Sequence, residues 1–446
     1  MNDNKLAMNK EKQFLAMRNV KCEMSNSRTP QLRFPGFTGE WEYVNGNELF
    51  IPISNKDHNS DLPILALTQD QGAIPRDEIN YKVFVSDKSV AGYKVVDVDD
   101  FIISLRSFQG GIEYSRYKGL CSPAYIVLRK KNNNVCSDFF RVYFKSFNYI
   151  QELNKNLEGI RDGKMISYQQ FSEIKLPFPT LPEQQKIASC LSSLDELISA
   201  SQQKTDALKA HKKGLMQQLF PQPGATTPQR RFPGFTGEWN LPTMAEVFDI
   251  RNGYTPSKRE SKFWIGGTIP WFRMEDIREN GGILSDSIQH ITPLGVKGSG
   301  LFKKNSIILA TTATIGIHAM LIADSLANQQ FTNFSIRKSL VDMYYPKFVY
   351  YAFFGIDEWC KRNTNAGGLL SVNIPALLKQ PFPTPTLAEQ QKIASCLSSL
   401  DELISASQQK ADALKAHKKG LMQKMFPNGE CAMRNVQLKQ FQIPHF

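Results

Sequence analysis

Residues 187–219 place Ile187, Leu191, Leu194, Ile198, Ser201, Thr205, Leu208, Lys212, Leu215 and Leu219 at alternating intervals of four and three. That spacing predicts one long helix with a coiled-coil seam and a small polar middle. Pro182 suits the first turn and Glu183 the positive end of the helix dipole, while Lys209, His211, Lys212 and Lys213 lie towards the negative end. Phe220-Pro221 stops the helix, and QPGATTPQR follows as a loose linker. About 37 residues rising ~1.5 Å each make a rod of ~55 Å, the length of about 16 base pairs. The helix recurs: residues 389–427 repeat 183–221 with three differences, Thr205/Ala411, Gln218/Lys424 and Leu219/Met425. The second seam is Ile393, Leu397, Leu400, Ile404, Leu414 and Leu421. Two like helices in one chain pair most simply with each other. Each leads away from its own block, so an antiparallel pair would hold two blocks apart.

A second motif accompanies the helix. RFPGFTGEW stands at 33–41 and again at 231–239. The motif copies are offset by 198 residues and the helix copies by 206, so the second block is longer by eight. Both motifs are retained while the blocks between them have diverged. One shared task for the helices and two different tasks for the blocks fits this; gene conversion confined to the helix-coding DNA would leave the same trace. The chain divides into an extension (1–32, expected to be poorly ordered), a first block (33–181), a helix (182–221), a linker (222–230), a second block (231–387), a helix (388–427) and a tail (428–446). The segment before Met24 reads as an addition to a start at MSNSRTPQLRFPGF. AMRNV, at 16–20 and 432–436, has no physical account.

The blocks are α/β. DFIISLRSFQGGI (100–112) aligns with NSIILATTATIGI (305–317), each a buried strand entering a polar turn closed by glycine. GKMISYQQFSEIKLPFP (163–179) resembles GGLLSVNIPALLKQPFP (367–383). AYIVLRK (124–130) and FTNFSIRK (331–338) read as strands, and YPKFVYYAFFG (345–355) as helix. The predicted architecture is a tandem duplication with pseudo-twofold symmetry: two globular α/β domains separated by a pair of long antiparallel coiled-coil helices.

Net charge is +12 and the pI about 9.2, which favours a polyanionic partner such as nucleic acid. The strand-turn elements then become candidate reading heads on one scaffold. The first turn offers Arg106, Ser107 and Gln109, and the second Thr312 and Thr314. Arg and Gln contact base edges in pairs of hydrogen bonds, and Thr reaches a base or a thymine methyl. Gln69 in LTQDQG and Asn328, Gln329 and Gln330 in NQQF are amides of the same kind. Tyr254, Lys258 and Arg259 in GYTPSKRESKFW suit backbone phosphates. Trp271 and Phe272 read as core.

Catalytic signatures are missing. No phosphate-binding G-x-x-x-x-G-K-[ST] loop and no H-E-x-x-H occurs, and GVKGSG (295–300) reads as a turn. No Asn/Asp-Pro-Pro-Tyr/Phe tetrapeptide of an adenine methyltransferase is present. Glu275 and Asp276 read as structural. The seven cysteines have neither zinc nor disulfide spacing, so no metal is expected. No apolar run reaches the ~18 residues of a membrane span, and the first residues are too polar for a signal peptide. A cytoplasmic, DNA-associated binder that directs another protein's chemistry is the expectation.

RFPGFTGEW leading into a block, then P-F-P…L-x-EQQKIAS…LD-x-LI, then the same again, resembles the specificity (S) subunit of type I restriction-modification enzymes over about residues 33–427. The NGYTPSK, TATIG and NQQ elements resemble one class of that family's target recognition domains, and LRSFQGGI with SPAY another. The resemblance implies that each domain binds one half of a split double-stranded DNA site and that the paired helices set the gap. It implies partners too: two modification subunits that bind S-adenosylmethionine and methylate adenine, and restriction subunits that use ATP and Mg. This chain itself would carry no cofactor and no catalysis. Three alternatives stand beside it: a subunit whose single partner both methylates and cleaves, a coiled-coil adapter that binds no DNA, and a fused enzyme with an unseen motif. The target bases, the gap length and the contacting residues are not legible.

Overall fold

The computed structural model describes residues 28–79, 90–155, 166–365 and 370–427, apart from the side chains of Phe108 and Lys155. Both AMRNV copies, most of the N-terminal extension, the tail from 428, Cys22, Cys431 and the glycine at 163 lie outside the described residues. The chain divides into two compact units that do not follow chain order: Met1–Ser201 with Lys410–Phe446, and Gln202–Gln409.

The first unit opens with β1 (Glu42–Asn45), α1 (Gly46–Leu49), β2 (Phe50–Ile53), β3 (Leu65–Thr68), β4 (Gly72–Pro75), β5 (Lys94–Val96) and β6 (Phe101–Ile103). It continues with α2 (Ser107–Gly110), β7 (Glu113–Tyr114), β8 (Gly119–Cys121), β9 (Ile126–Lys130), α3 (Ser137–Tyr143), α4 (Phe147–Lys155), α5 (Tyr168–Glu173) and β10 (Lys175–Phe178). The long helix α6 (Leu181–Leu219) gives its first half to this unit. The central antiparallel sheet has the order β2-β9-β6-β7. All three residues of β6 are buried, as the apolar run predicts. Around Phe50 the rings of Phe101, Phe140 and Phe171 stand edge to face at 5.2–6.0 Å, the arrangement that aromatic quadrupoles favour.

The second unit holds α7 (Met244–Val247), β11 (Phe248–Asn252), β12 (Ile269–Phe272), α8 (Met274–Asn280), β13 (Ile283–Leu284), β14 (His290–Ile291), β15 (Ile307–Ala310), β16 (His318–Leu321), β17 (Leu326–Ala327) and β18 (Phe331–Ile336). α9 (Pro346–Arg362), β19 (Thr364–Asn365), β20 (Ser371–Val372), α10 (Ile374–Leu378) and α11 (Leu387–Met425) follow. Its main sheet is β11-β18-β15-β16-β13. The first four strands repeat the first unit's order, so β6 corresponds to β15, β7 to β16 and β9 to β18. This unit also has a three-stranded sheet, β14-β12-β17. Trp271 and Phe272 are buried in it, as expected. Asp276 is fully buried and accepts from the amides of Arg273 and Ile288, a structural role.

Both units contain the same antiparallel helix pairing. In the first, Lys418 of α11 reaches Asp195 of α6 at 2.5 Å. In the second, Lys212 of α6 reaches Asp401 of α11 at 2.6 Å, and the buried Thr205 hydroxyl donates to Ser407 at 2.9 Å. As one partner's number rises the other's falls, which fixes the direction. The ends of the seam also enter the blocks. Ile187 and Leu191 enter the first unit's core, and Ile393 and Leu397 the second's. Leu194 and Leu421 pack on the first core and Leu215 on the second. The half-buried Ile198, Leu208, Leu400, Ile404 and Leu414 lie along the remaining turns. An i/i+3/i+4 stripe does not say what it meets: its ends meet the blocks as well as the other helix. Met425 and Phe426, at the end of α11, likewise insert into the first core.

One of the three helix differences falls in this pair. Thr205 is fully buried, and so is its counterpart Ala411, which has no hydroxyl to donate. Thr205→Ala should therefore cost about 1 kcal/mol, the net value of one buried hydrogen bond. Thermal unfolding checks this; an unshifted transition would show that the bond contributes nothing.

Candidate nucleic-acid interface and the duplicated helices

The duplicated motifs meet each other. Arg33 of RFPGFTGEW grips Glu183 of EQQKIAS with two parallel bonds, Nε to Oε1 at 2.7 Å and Nη2 to Oε2 at 2.8 Å. Arg231 and Glu389 repeat this at 2.8 and 2.6 Å. Both carboxylates are 1% exposed. The hydrogen bond to Glu183 holds the Arg33 guanidinium above its ordinary pKa, and Glu389 does the same for Arg231. The next residue, Gln184, is buried and saturated: it accepts from the Cys136 amide and donates to the carbonyls of Asn134 and Pro179. Gln390 does likewise with Tyr345, Met343 and Pro385. Lys186 and Lys392 lie over Phe34 and Phe232 at 5.7 and 5.8 Å. The same stretch reaches the end of the other helix, since the Leu32 amide donates to the Lys424 carbonyl and the Arg230 amide to that of Gln218. RFPGF and EQQK thus form one clasp, made twice. Sequence reasoning missed it, although an arginine and a glutamate that both recur at unequal offsets were a usable signal.

In the first unit the fold gathers Gln69, Arg106 and Gln109. The β3–β4 turn lays the Gln69 side chain against Gly110, where an added Cβ would stand 2.8 Å from it. All three side chains are exposed. Ser107 is a correction to the expected contact set: it is fully buried, and its hydroxyl accepts from the Ser104 amide at 2.8 Å. It shapes the turn from inside.

In the second unit three predicted segments converge. The Gly253 and Tyr254 amides donate to Phe331 and Ala327, and the Thr311 amide to Gln330. GYTPSK, TTATIG and NQQ therefore adjoin. Lys258 and Arg259 are exposed. Gln329 is exposed and accepts from Thr255 at 2.6 Å. Thr312 and Thr314 are half-buried beside Ala313, which takes a left-handed φ of 62° at the tip. Three others are committed internally. The Tyr254 hydroxyl donates to Gly295 and accepts from the Lys297 amide at 2.7 Å. Asn328 accepts from the Gln330 amide and donates to its side chain. A local turn uses these groups up, which residue type alone could not reveal. Among the described residues no group of three His, Cys, Asp or Glu gathers as a metal site, and no helix is long and apolar enough to cross a membrane.

An α/β unit that presents a polar turn, occurring twice beside a shared helix pair, defines a class of duplicated recognition proteins. Comparison with known proteins makes the class specific. The type I restriction modification DNA specificity domain matches residues 40–210 and 236–416. The chain is 44% identical over 177 residues to the type I restriction enzyme EcoprrI specificity subunit of Escherichia coli, a match spanning 38% of this chain and 44% of that one. It is 24% identical to the MjaVIII specificity subunit of Methanocaldococcus jannaschii over 95% of this chain and 98% of that one. A solved type I restriction-modification assembly contains a chain of the same fold, with TM-score 0.55 and 18% identity over 89% of this chain and 98% of that one. The S subunit from M. genitalium aligns with TM-score 0.50 and 14% identity over 90% of this chain and 99% of that one. The chain belongs to the type I restriction-modification specificity subunits, with one specificity domain in each half.

Proposed function

We propose that this chain selects a bipartite DNA site for a type I restriction-modification complex. Each unit reads one half-site, and the paired helices set the gap. The helices also dock two modification subunits, which methylate adenine with S-adenosylmethionine; ATP and Mg serve the restriction subunits. The chain is non-catalytic by itself and works in the cytoplasm on double-stranded DNA. The observation that carries this reading is the contrast between the clasps, which share the same arginine–glutamate and glutamine contacts, and the turns, which differ in almost every residue. Equal frames with unequal heads suit a split, asymmetric sequence. Phosphate contacts from Lys258 and Arg259 would supply affinity, and Arg106, Gln109 and Gln329 discrimination. For docking, Leu197 and Leu403 are the same residue of the repeat and stand 52% and 53% exposed, an apolar side chain presented identically by both helices.

Methylation-aware sequencing of host DNA, with and without the gene and with its modification subunit present, tests this. A split motif that vanishes with the gene is the expected result; unchanged methylation would refute it. Exchanging residues 42–180 for the corresponding block of a relative should replace one half-site and leave the other. A change in both halves would end the modular reading.

A further inference from the structure

Behind each turn a buried carboxylate meets a nitrogen base, and the two units place them the opposite way round. Both turns close on a glycine with left-handed φ, Gly111 at 80° and Gly316 at 72°. Each glycine presses on a helix-side carbonyl: an added Cβ would meet Phe144 O at 2.0 Å and Asp357 O at 2.6 Å. Two residues on, the returning strand points a titratable side chain at the same place. In the first unit Glu113, 4% exposed, pairs with Lys145 between α3 and α4 at 2.6 Å. Lys145 also donates to the Gly110 carbonyl at 3.0 Å, the last residue of the turn. In the second unit His318, 2% exposed, pairs with Asp357 of α9 at 2.5 Å through Nδ1. Its Nε2 faces the Tyr350 carbonyl at 2.9 Å. The strand carries the carboxylate and the helix side the nitrogen base in one unit; the reverse holds in the other.

We infer that Glu113–Lys145 and His318–Asp357 are positioning pairs that aim the two reading turns, so that a turn and the helix behind it form one inseparable unit of specificity. This rests on the proposed reading of DNA by these turns. Burial acts against both charges of the first pair, raising the Glu113 pKa and lowering that of Lys145, and their mutual attraction opposes it. Neither charge is stable there alone. Moving only the strand-turn-strand of one unit into the other would set histidine against Lys145, two bases with no carboxylate between them, or Glu113 against Asp357, two carboxylates at one buried position. None of the four residues belongs to the exposed set proposed to touch DNA.

The test uses the full chain with its modification subunits and scores each half of the methylated motif separately. Lys145→Met should blur the first unit's half by about tenfold at one or more bases, the scale of one lost base contact. The second half and the gap should be unchanged. Asp357→Asn should do the converse, and Lys145→Arg should restore sharpness. A folded Lys145→Met complex with both halves as sharp as the parent overturns the inference, as does equal blurring of both. Should Lys145→Met not assemble, the neutral pair Glu113→Gln with Lys145→Gln decides: a blurred first half supports the inference and a sharp one refutes it. Parent protein that yields no split motif would instead refute the DNA-reading role itself.

Discussion

Inserting one heptad into each long helix should lengthen the gap in the recognised site and alter neither half-site. Duplicating residues 198–204 and 404–410, both ISASQQK, keeps the four-three seam in step. Seven helical residues rise ~10.5 Å, so the gap should grow by up to about three base pairs. The clasps lie at the helix ends, outside the insertions. Methylation at the original spacing should fall to background while the new spacing takes its place, read by the same sequencing of host DNA. Retention of the old spacing would end the ruler role.

Breaking one clasp should be nearly as damaging, but to stability. Arg33→Ala leaves the Glu183 carboxylate buried with its strongest partner gone. Removing one member of a buried pair costs about 3–5 kcal/mol. For a unit of this size that moves unfolding by on the order of 10 °C. The paired change Arg33→Met with Glu183→Leu should be milder, since no charge is then stranded. Calorimetry would separate the cases: Arg33→Ala should lower the transition of the unit containing residue 33, and Arg231→Ala that of the other. A single variant no worse than the double would show that the bond is ornamental to stability.

The strands were legible because they are short apolar runs closed by glycine. DFIISL became β6, AYIVLRK became β9 and SIILA became β15. The long helices were legible to their ends, since Phe220-Pro221 and Phe426-Pro427 break a pattern that nothing else interrupts. Residue type alone did not separate exposed candidates from committed ones. Gln69, Arg106 and Gln109 are exposed and adjoin in the first unit, as Lys258, Arg259 and Gln329 are exposed in the second. Ser107, Tyr254 and Asn328 were indistinguishable from them by residue type, yet local geometry consumes their polar groups.

The sequence by itself determined that this chain is one design used twice: the same clasp residues, the same helix, and blocks of unequal length with different turns. Repetition and periodicity are properties of the string, and they survive without coordinates. Only the tertiary structure decided what the repeated letters do. It joined Arg33 to Glu183 across 150 positions, set Asp195 against Lys418, and placed Lys145 behind a turn whose last residue is Gly110. Those pairings depend on which surfaces the chain brings together and how dry they become. Charge balance in a buried site is settled by three-dimensional neighbours, and no spacing along the chain records it.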